Sequence, residues 1–85
     1  MNETDASYVK SKILERMVRH RFIGGKHTDI NNLRKGFEKS RYREIDLVID
    51  QLIRDNFLIV KITGYGKHIS LNPKMLAEVK KITGL

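Results

Sequence analysis

Apolar residues recur at helical spacing in three stretches of this chain. Val9, Ile13, Leu14, Met17 and Val18 form the first stripe and predict a helix over about residues 6–20. Asp5 or Ser7 stands near its start as a cap. Lys10, Lys12, Glu15, Arg16 and Arg19 are left mostly outside. Phe22 and Ile23 continue the apolar pattern, and Gly24-Gly25 is expected to break the helix. The second stripe is the clearest. Ile45, Val48, Ile49, Leu52 and Ile53 follow the i, i+3, i+4, i+7, i+8 pattern and predict a helix over about 40–55. Asn56 suits its C-cap, and Phe57 returns to the core. The opposite face carries Arg43, Leu47, Asp50 and Arg54, flanked by Ser40.

The segments between and after these helices carry other signals. Lys26-His27-Thr28 reads as a very short strand. Thr28 or Asp29 can cap a short helix over about 30–35, with Ile30, Leu33 and Phe37 turned to the core. Gly36 falls where a left-handed C-cap is wanted. Two β-branched runs, 58–63 and 67–71, flank Gly64-Tyr65-Gly66 and predict a β-hairpin. Asn72-Pro73 then reads as a helix start, because asparagine caps and proline fits the first helical position. Met75, Leu76, Val79 and Ile82 form the third stripe, and Gly84 ends it. The predicted order is α-(short β)-α-α-β-β-α, mainly α with a small β-hairpin, an α+β fold in a single domain over 1–85. Residues 1–4 are expected to be loose.

Charge sharpens this picture. The 85 residues carry 17 basic and 10 acidic side chains, a net charge of +7. Residues 21–43 hold +5 of it, from Arg21, Lys26, Arg34, Lys35, Lys39, Arg41 and Arg43 against Asp29 and Glu38. Residues 44–57 carry −3, from Glu44, Asp46, Asp50 and Asp55 against Arg54. Residues 58–85 carry +4, from Lys61, Lys67, Lys74, Lys80 and Lys81 against Glu78. Such segregation favours a polyanionic partner over a uniformly solvated surface.

Other chemistry finds little support in the chain. With no cysteine, disulfides and thiolate metal sites are excluded, and a reducing interior is allowed. The longest apolar run, Phe57 to Val60, is far too short for a bilayer. The polar start, Met1-Asn2-Glu3-Thr4-Asp5, shows no secretory signal. A cytoplasmic protein with no membrane partner is the expectation. His20, His27 and His68 lack partners at i+3 or i+4, so no metal site is expected. The glycine pairs lack the spacing of a phosphate loop, and no serine or carboxylate has a visible triad partner. No cofactor is implied, and the chain does not read as an enzyme.

The run from Ile30 to Gly36, the amphipathic helix to Asp55, Phe57-Leu58-Ile59-Val60 and the glycine-tipped hairpin together resemble the winged helix-turn-helix family of DNA-binding domains. Lys26-His27-Thr28, and Ile69-Ser70-Leu71-Asn72-Pro73 leading into a last helix, are similar to small single-domain members of archaeal type. The resemblance covers about Ala6 to Ile82 and is one of order and pattern. It implies that the helix over about 40–55 enters a major groove while the hairpin, or wing, touches backbone or minor groove. The implied base contacts are Ser40, Arg41, Arg43 and Leu47; Tyr42 lies closer to the apolar face, between core and rim. The implied backbone contacts are Lys26, Arg34, Lys35 and Lys39, with Lys61, Tyr65, Lys67 and His68 from the wing. The resemblance also sets the first strand beside the third, which brings His27 near His68.

One feature departs from that pattern. Glu44, Asp46, Asp50 and Asp55 make the long helix acidic beyond its first turn, and carboxylates near phosphates repel. Either the helix docks by its N-terminal tip, or its flank faces away from DNA. Two other partner classes stand beside double-stranded DNA and a role in transcription regulation. A protein-interaction adaptor in a larger complex would use the acidic flank and Leu47. RNA binding ranks lower, because Tyr8, Tyr42 and Tyr65 are not interleaved with basic residues on a sheet. The last apolar stripe fits packing on the first helix, and a homodimer through either helix is the other use for it.

Overall fold

The computed structural model describes residues 6–85; the expected loose start and an Asp5 cap lie outside the described residues. Helix α1 spans Ala6–Arg19 and buries Val9, Ile13, Leu14 and Met17, the face its periodicity predicts, with Val18 at the edge. It ends before the glycine pair. Arg21 adopts a left-handed φ of 56°, and its N–H bonds Val18 O at 3.0 Å while Phe22 N–H bonds Met17 O at 3.0 Å. This is the paired closure of a Schellman cap, with arginine where glycine is usual. Helix α2, Tyr42–Arg54, ends in the same way. Asn56 takes φ 64°, and Phe57 N–H reaches back to Leu52 O at 2.9 Å. Phe57 is thereby turned into the core, as the sequence predicts.

Between these helices lie strand β1, Thr28–Asp29, and a 3₁₀ helix, Ile30–Arg34. The strand shares only Thr28 with the expected Lys26-His27-Thr28 and starts two residues later, and the expected short α-helix is a 3₁₀ helix. Asp29 is the cap: its side chain accepts the Asn31 N–H at 2.8 Å. Leu33 is fully buried, while Ile30 and Phe37 pack at the core margin. Gly36, with φ 90°, closes a tight turn in which Phe37 N–H bonds Arg34 O at 3.1 Å. A Cβ there would meet Arg16 Nη2 at 2.9 Å, a flexible side-chain end that can shift, so the positive φ is what favours glycine. A second 3₁₀ turn, Lys39–Arg41, leads into α2. The predicted 40–55 helix is thus α-helical only from Tyr42.

The hairpin comprises β2, Leu58–Thr63, and β3, Gly66–Leu71, paired antiparallel from Leu58↔Leu71 to Thr63↔Gly66. Its loop is only Gly64-Tyr65. The positive φ falls at Gly66, 126°, and not at Gly64. Thr63 Oγ1 secures the turn by donating to Gly66 O at 2.9 Å and accepting the Tyr65 N–H at 3.1 Å. β1 pairs antiparallel with the other edge of β3, through Thr28↔Ile69 and Asp29↔His68, so the sheet order is β1-β3-β2. A further bridge joins Ile23 to Leu71 in parallel.

Asn72 caps the last helical segment by accepting the Lys74 N–H at 3.1 Å. The segment opens as a 3₁₀ turn, Pro73–Met75, and continues as α3, Leu76–Thr83. Helix α3 packs on α1. Val79 is fully buried, Met75 and Leu76 lie against the core, and Ile82 is exposed at its edge. The core joins α1, α2 and the inner face of the sheet through Ile13, Leu14, Ile45, Leu52, Ile69 and Leu71. The fold is α+β: three α-helices and a three-stranded antiparallel sheet. Among the described residues no helix is long and apolar enough to cross a membrane.

Leu52→Ala removes a fully buried side chain and is expected to cost about 2–5 kcal/mol in urea unfolding. Leu47→Ala, on the exposed face of the same helix, should stay within about 0.5 kcal/mol.

Candidate nucleic-acid interface

The approach to α2 and its first turn assemble the site. Lys35, Lys39, Ser40 and Arg43 are all exposed there. Neither the 3₁₀ turn nor α2 has a side-chain cap at its N-terminus; the Arg41 and Tyr42 N–H groups bond Glu38 O and Lys39 O, and Glu38 stands exposed just before Lys39. The other arginines of the region are held by the protein. Arg34 donates from Nε and Nη2 to the two carboxylate oxygens of Asp46 at 2.9 and 2.5 Å, and its guanidinium lies over the Tyr42 ring at 4.9 Å. The hydrogen bond to Asp46 raises the Arg34 pKa above its ordinary value. Arg41 lies over the Phe37 ring at 5.9 Å, with Nε 3.5 Å from Glu44 Oε2. Arg34 and Arg41, for which the resemblance implies phosphate and base contacts, therefore serve first as internal partners. Tyr42 is rim rather than core.

These contacts answer the acidity of the helix. Asp46 is neutralised by Arg34, Glu44 faces Arg41, and Asp55 accepts from Gln51 Nε2 at 3.1 Å. Asp50 remains exposed, in a hollow it shares with Arg34, Asp46 and Lys67. Three of the four carboxylates are thus tied by neighbours, and none stands on the turn bearing Lys39 and Ser40.

The hairpin divides its cations between two faces. Cross-strand partners share a face, and the side-chain period is two. Lys61 opposite His68 lies on the outer face with Ile59 and Asp29, whereas Lys67 opposite Ile62 lies on the inner face that continues toward α2. The structure brings Lys67 and the flank of α2 together but sets Lys61 and His68 on the far side. Tyr65 at the tip is 94% exposed. Lys26 is exposed beside the Phe22 ring, its Nζ 5.7 Å from the centroid.

Two apolar features accompany this face. Leu47 is 63% exposed and edges a groove of about 370 Å³ between α1 and α2, lined by Ala6, Lys10, Val48 and Gln51 among others. Ile62 is 70% exposed. Sequence reasoning missed Ile62, because alternation with Leu58 and Val60 assigns it to the core face, yet the hairpin outruns the core. The split of Lys61 from Lys67 had a usable signal: a two-residue turn at Gly64-Tyr65 sets Ile62, not Lys61, opposite Lys67. Among the described residues no three His, Cys, Asp or Glu side chains gather as metal ligands. No protein-family model, no curated protein and no solved structure matches the chain.

The Arg34–Asp46 pair is partly exposed, so water screens it. Asp46→Asn should cost less than about 1 kcal/mol, and the difference from the parent should shrink in high salt, read from paired urea titrations.

Proposed function

We propose that this chain is a winged helix-turn-helix domain that binds double-stranded DNA, in the role of a transcriptional regulator. Helix α2 enters the major groove by its N-terminal turn, and the β2–β3 hairpin is the wing. One observation carries this reading: Lys39, Ser40 and Arg43 project from one uncapped helix start while the carboxylates behind them are mostly engaged by protein partners. The element order and the β1-β3-β2 sheet support it. Arg43 is the candidate for guanine, because its guanidinium can bond two acceptors of that base. Lys35, Lys39 and Lys67 hold phosphates, and Tyr65 reaches backbone from the wing tip. Lys61 and His68, on the outer face of the hairpin, fall outside this footprint. Docking is by the tip of α2, not along its length, because Asp50 remains exposed further along the helix.

A second reading, a protein-interaction adaptor, rests on Leu47 and the groove beside it. Apolar grooves with polar rims suit a partner side chain better than a phosphate backbone. The two readings differ in salt dependence and in the residues that respond.

An NMR titration of labelled protein with a short random-sequence duplex at two salt concentrations tests the proposal. Expected shifts fall on residues 39–47 and on the inner face of the wing, and they weaken with salt. If about five phosphates are neutralised, log affinity falls with log salt at a slope near −4 to −5. Arg43→Ala should weaken a preferred site more than random DNA, by about 1–3 kcal/mol. Lys67→Ala should weaken both alike and reduce the slope by about one, while Lys61→Ala changes little. Equal losses from Arg43→Ala on both duplexes would remove Arg43 from base reading. Absence of any shift at low salt would transfer the function to the adaptor reading.

A further inference from the structure

His68 lies on the outer face of β3, and the chain entering β1 brings His27 beside it. Their Nδ1 atoms are 2.8 Å apart, with the rings inclined at 71°. Such a contact needs one nitrogen bearing a proton and one offering a lone pair. It survives with both rings neutral, and it survives when one ring is charged and donates. Two imidazolium rings cannot keep it. No acceptor would remain, and two like charges would face each other at hydrogen-bond distance.

The groups around the pair oppose a second charge. Lys61 stands opposite His68 across the hairpin, and Lys26 precedes His27. Asp29 lies opposite His68 on β1 and is the countercharge on this face, but its Oδ1 already accepts the Asn31 N–H. Burial, and then the positive charges of Lys61 and His68, hold the His27 pKa below its ordinary 6.5. A metal ion is the poorer occupant: two imidazoles have no third ligand among the described residues, and the Lys61 ammonium repels a cation.

We propose that the His27–His68 contact is a proton-sensitive clasp that holds β1 to β3 at neutral pH and releases it on acidification. The strand it fastens has only two residues, Thr28–Asp29, so the ladder alone is weak. The 3₁₀ helix that follows carries Leu33 into the core and Arg34 to Asp46 of α2. Release of β1 therefore loosens the support behind the flank of α2. The sign follows from linkage. Well above pH 6.5 His27 is neutral in both folded and unfolded chains, and the clasp contributes fully. As pH falls below 6.5 toward the lowered folded value, the unfolded chain takes up the proton first, and stability is lost. A second proton on the pair removes the last acceptor and opens the contact.

Hydrogen exchange of the full chain, followed by NMR between pH 7.5 and 4.5 and corrected for intrinsic rates, tests the clasp. Protection of the β1–β3 ladder should fall about tenfold for each unit by which the His27 pKa is depressed, while the β2–β3 amides lose less. His27→Asn should abolish that extra pH dependence, His68→Asn should reduce it while burial and Lys61 still act on His27, and His20→Asn should keep it. Flat protection in the parent, or a dependence that persists in both pair variants, overturns the proposal. Imidazole nitrogen spectra of the parent protein decide the matter even if a variant fails to fold. Two separated protonations, with the Nδ1–H···Nδ1 bond retained after the first, support the clasp; two independent titrations at the ordinary value overturn it.

Discussion

Strand β3 is the constraint on which the other elements are registered. Its residues Ile69, Ser70 and Leu71 are all buried, so each backbone group there must find a protein partner. β2 supplies one edge and β1 the other. At the core end, Leu71 N–H bonds Phe22 O at 2.8 Å, and Gly24 N–H bonds Leu71 O at 3.0 Å. The chain leaving α1 is thereby bound to the same strand as the hairpin. Helices α1 and α2 then close over the inner face, where Ile69 and Leu71 meet Ile13, Leu14, Ile45 and Leu52 in one core.

That arrangement decides which charges the protein spends internally. The short β1 delivers the 3₁₀ helix alongside α2, and Arg34 there meets Asp46 with both arms of its guanidinium. Arg16 is drawn in from α1, its Nη1 donating to Asn32 O at 3.1 Å. Lys35, Lys39 and Arg43 stay exposed near the start of α2 and Lys67 on the hairpin, while Lys12, Arg21, Lys26 and Arg54 are exposed elsewhere. The proposed DNA footprint is the part of those exposed cations gathered at the start of α2 and on the inner face of the hairpin, and it is smaller and more directional than the net charge alone implies.

The outer face of the sheet has a separate chemistry. Register places His68 between Asp29 and Lys61, and His27 completes a contact that depends on a single proton position. The same β1 segment thus links a titratable pair on one side of the sheet to the Arg34–Asp46 bond on the other. Both features are invisible in a count of charges, because they depend on residues 41 and 12 apart in the chain being neighbours.

The sequence by itself determined the local elements and their buried faces. Periodicity located α1, α2 and α3, the glycine-tipped hairpin needed its turn at 64–66, and Asn56 and Asn72 were legible as caps because their side chains and backbone tolerances suit those positions. Local physics suffices there, since spacing along a helix or strand sets the face. The end of α1 came earlier than the glycine pair: the helix stops at Arg19 and Arg21 takes the left-handed capping position, with Gly24 left-handed further on. Only the tertiary structure decided that Arg34 and Arg41 are internal partners, that Ile62 extends beyond the core, and how closely His27 approaches His68. Each of those outcomes depends on distances between elements remote in sequence, which packing sets and local pattern does not contain.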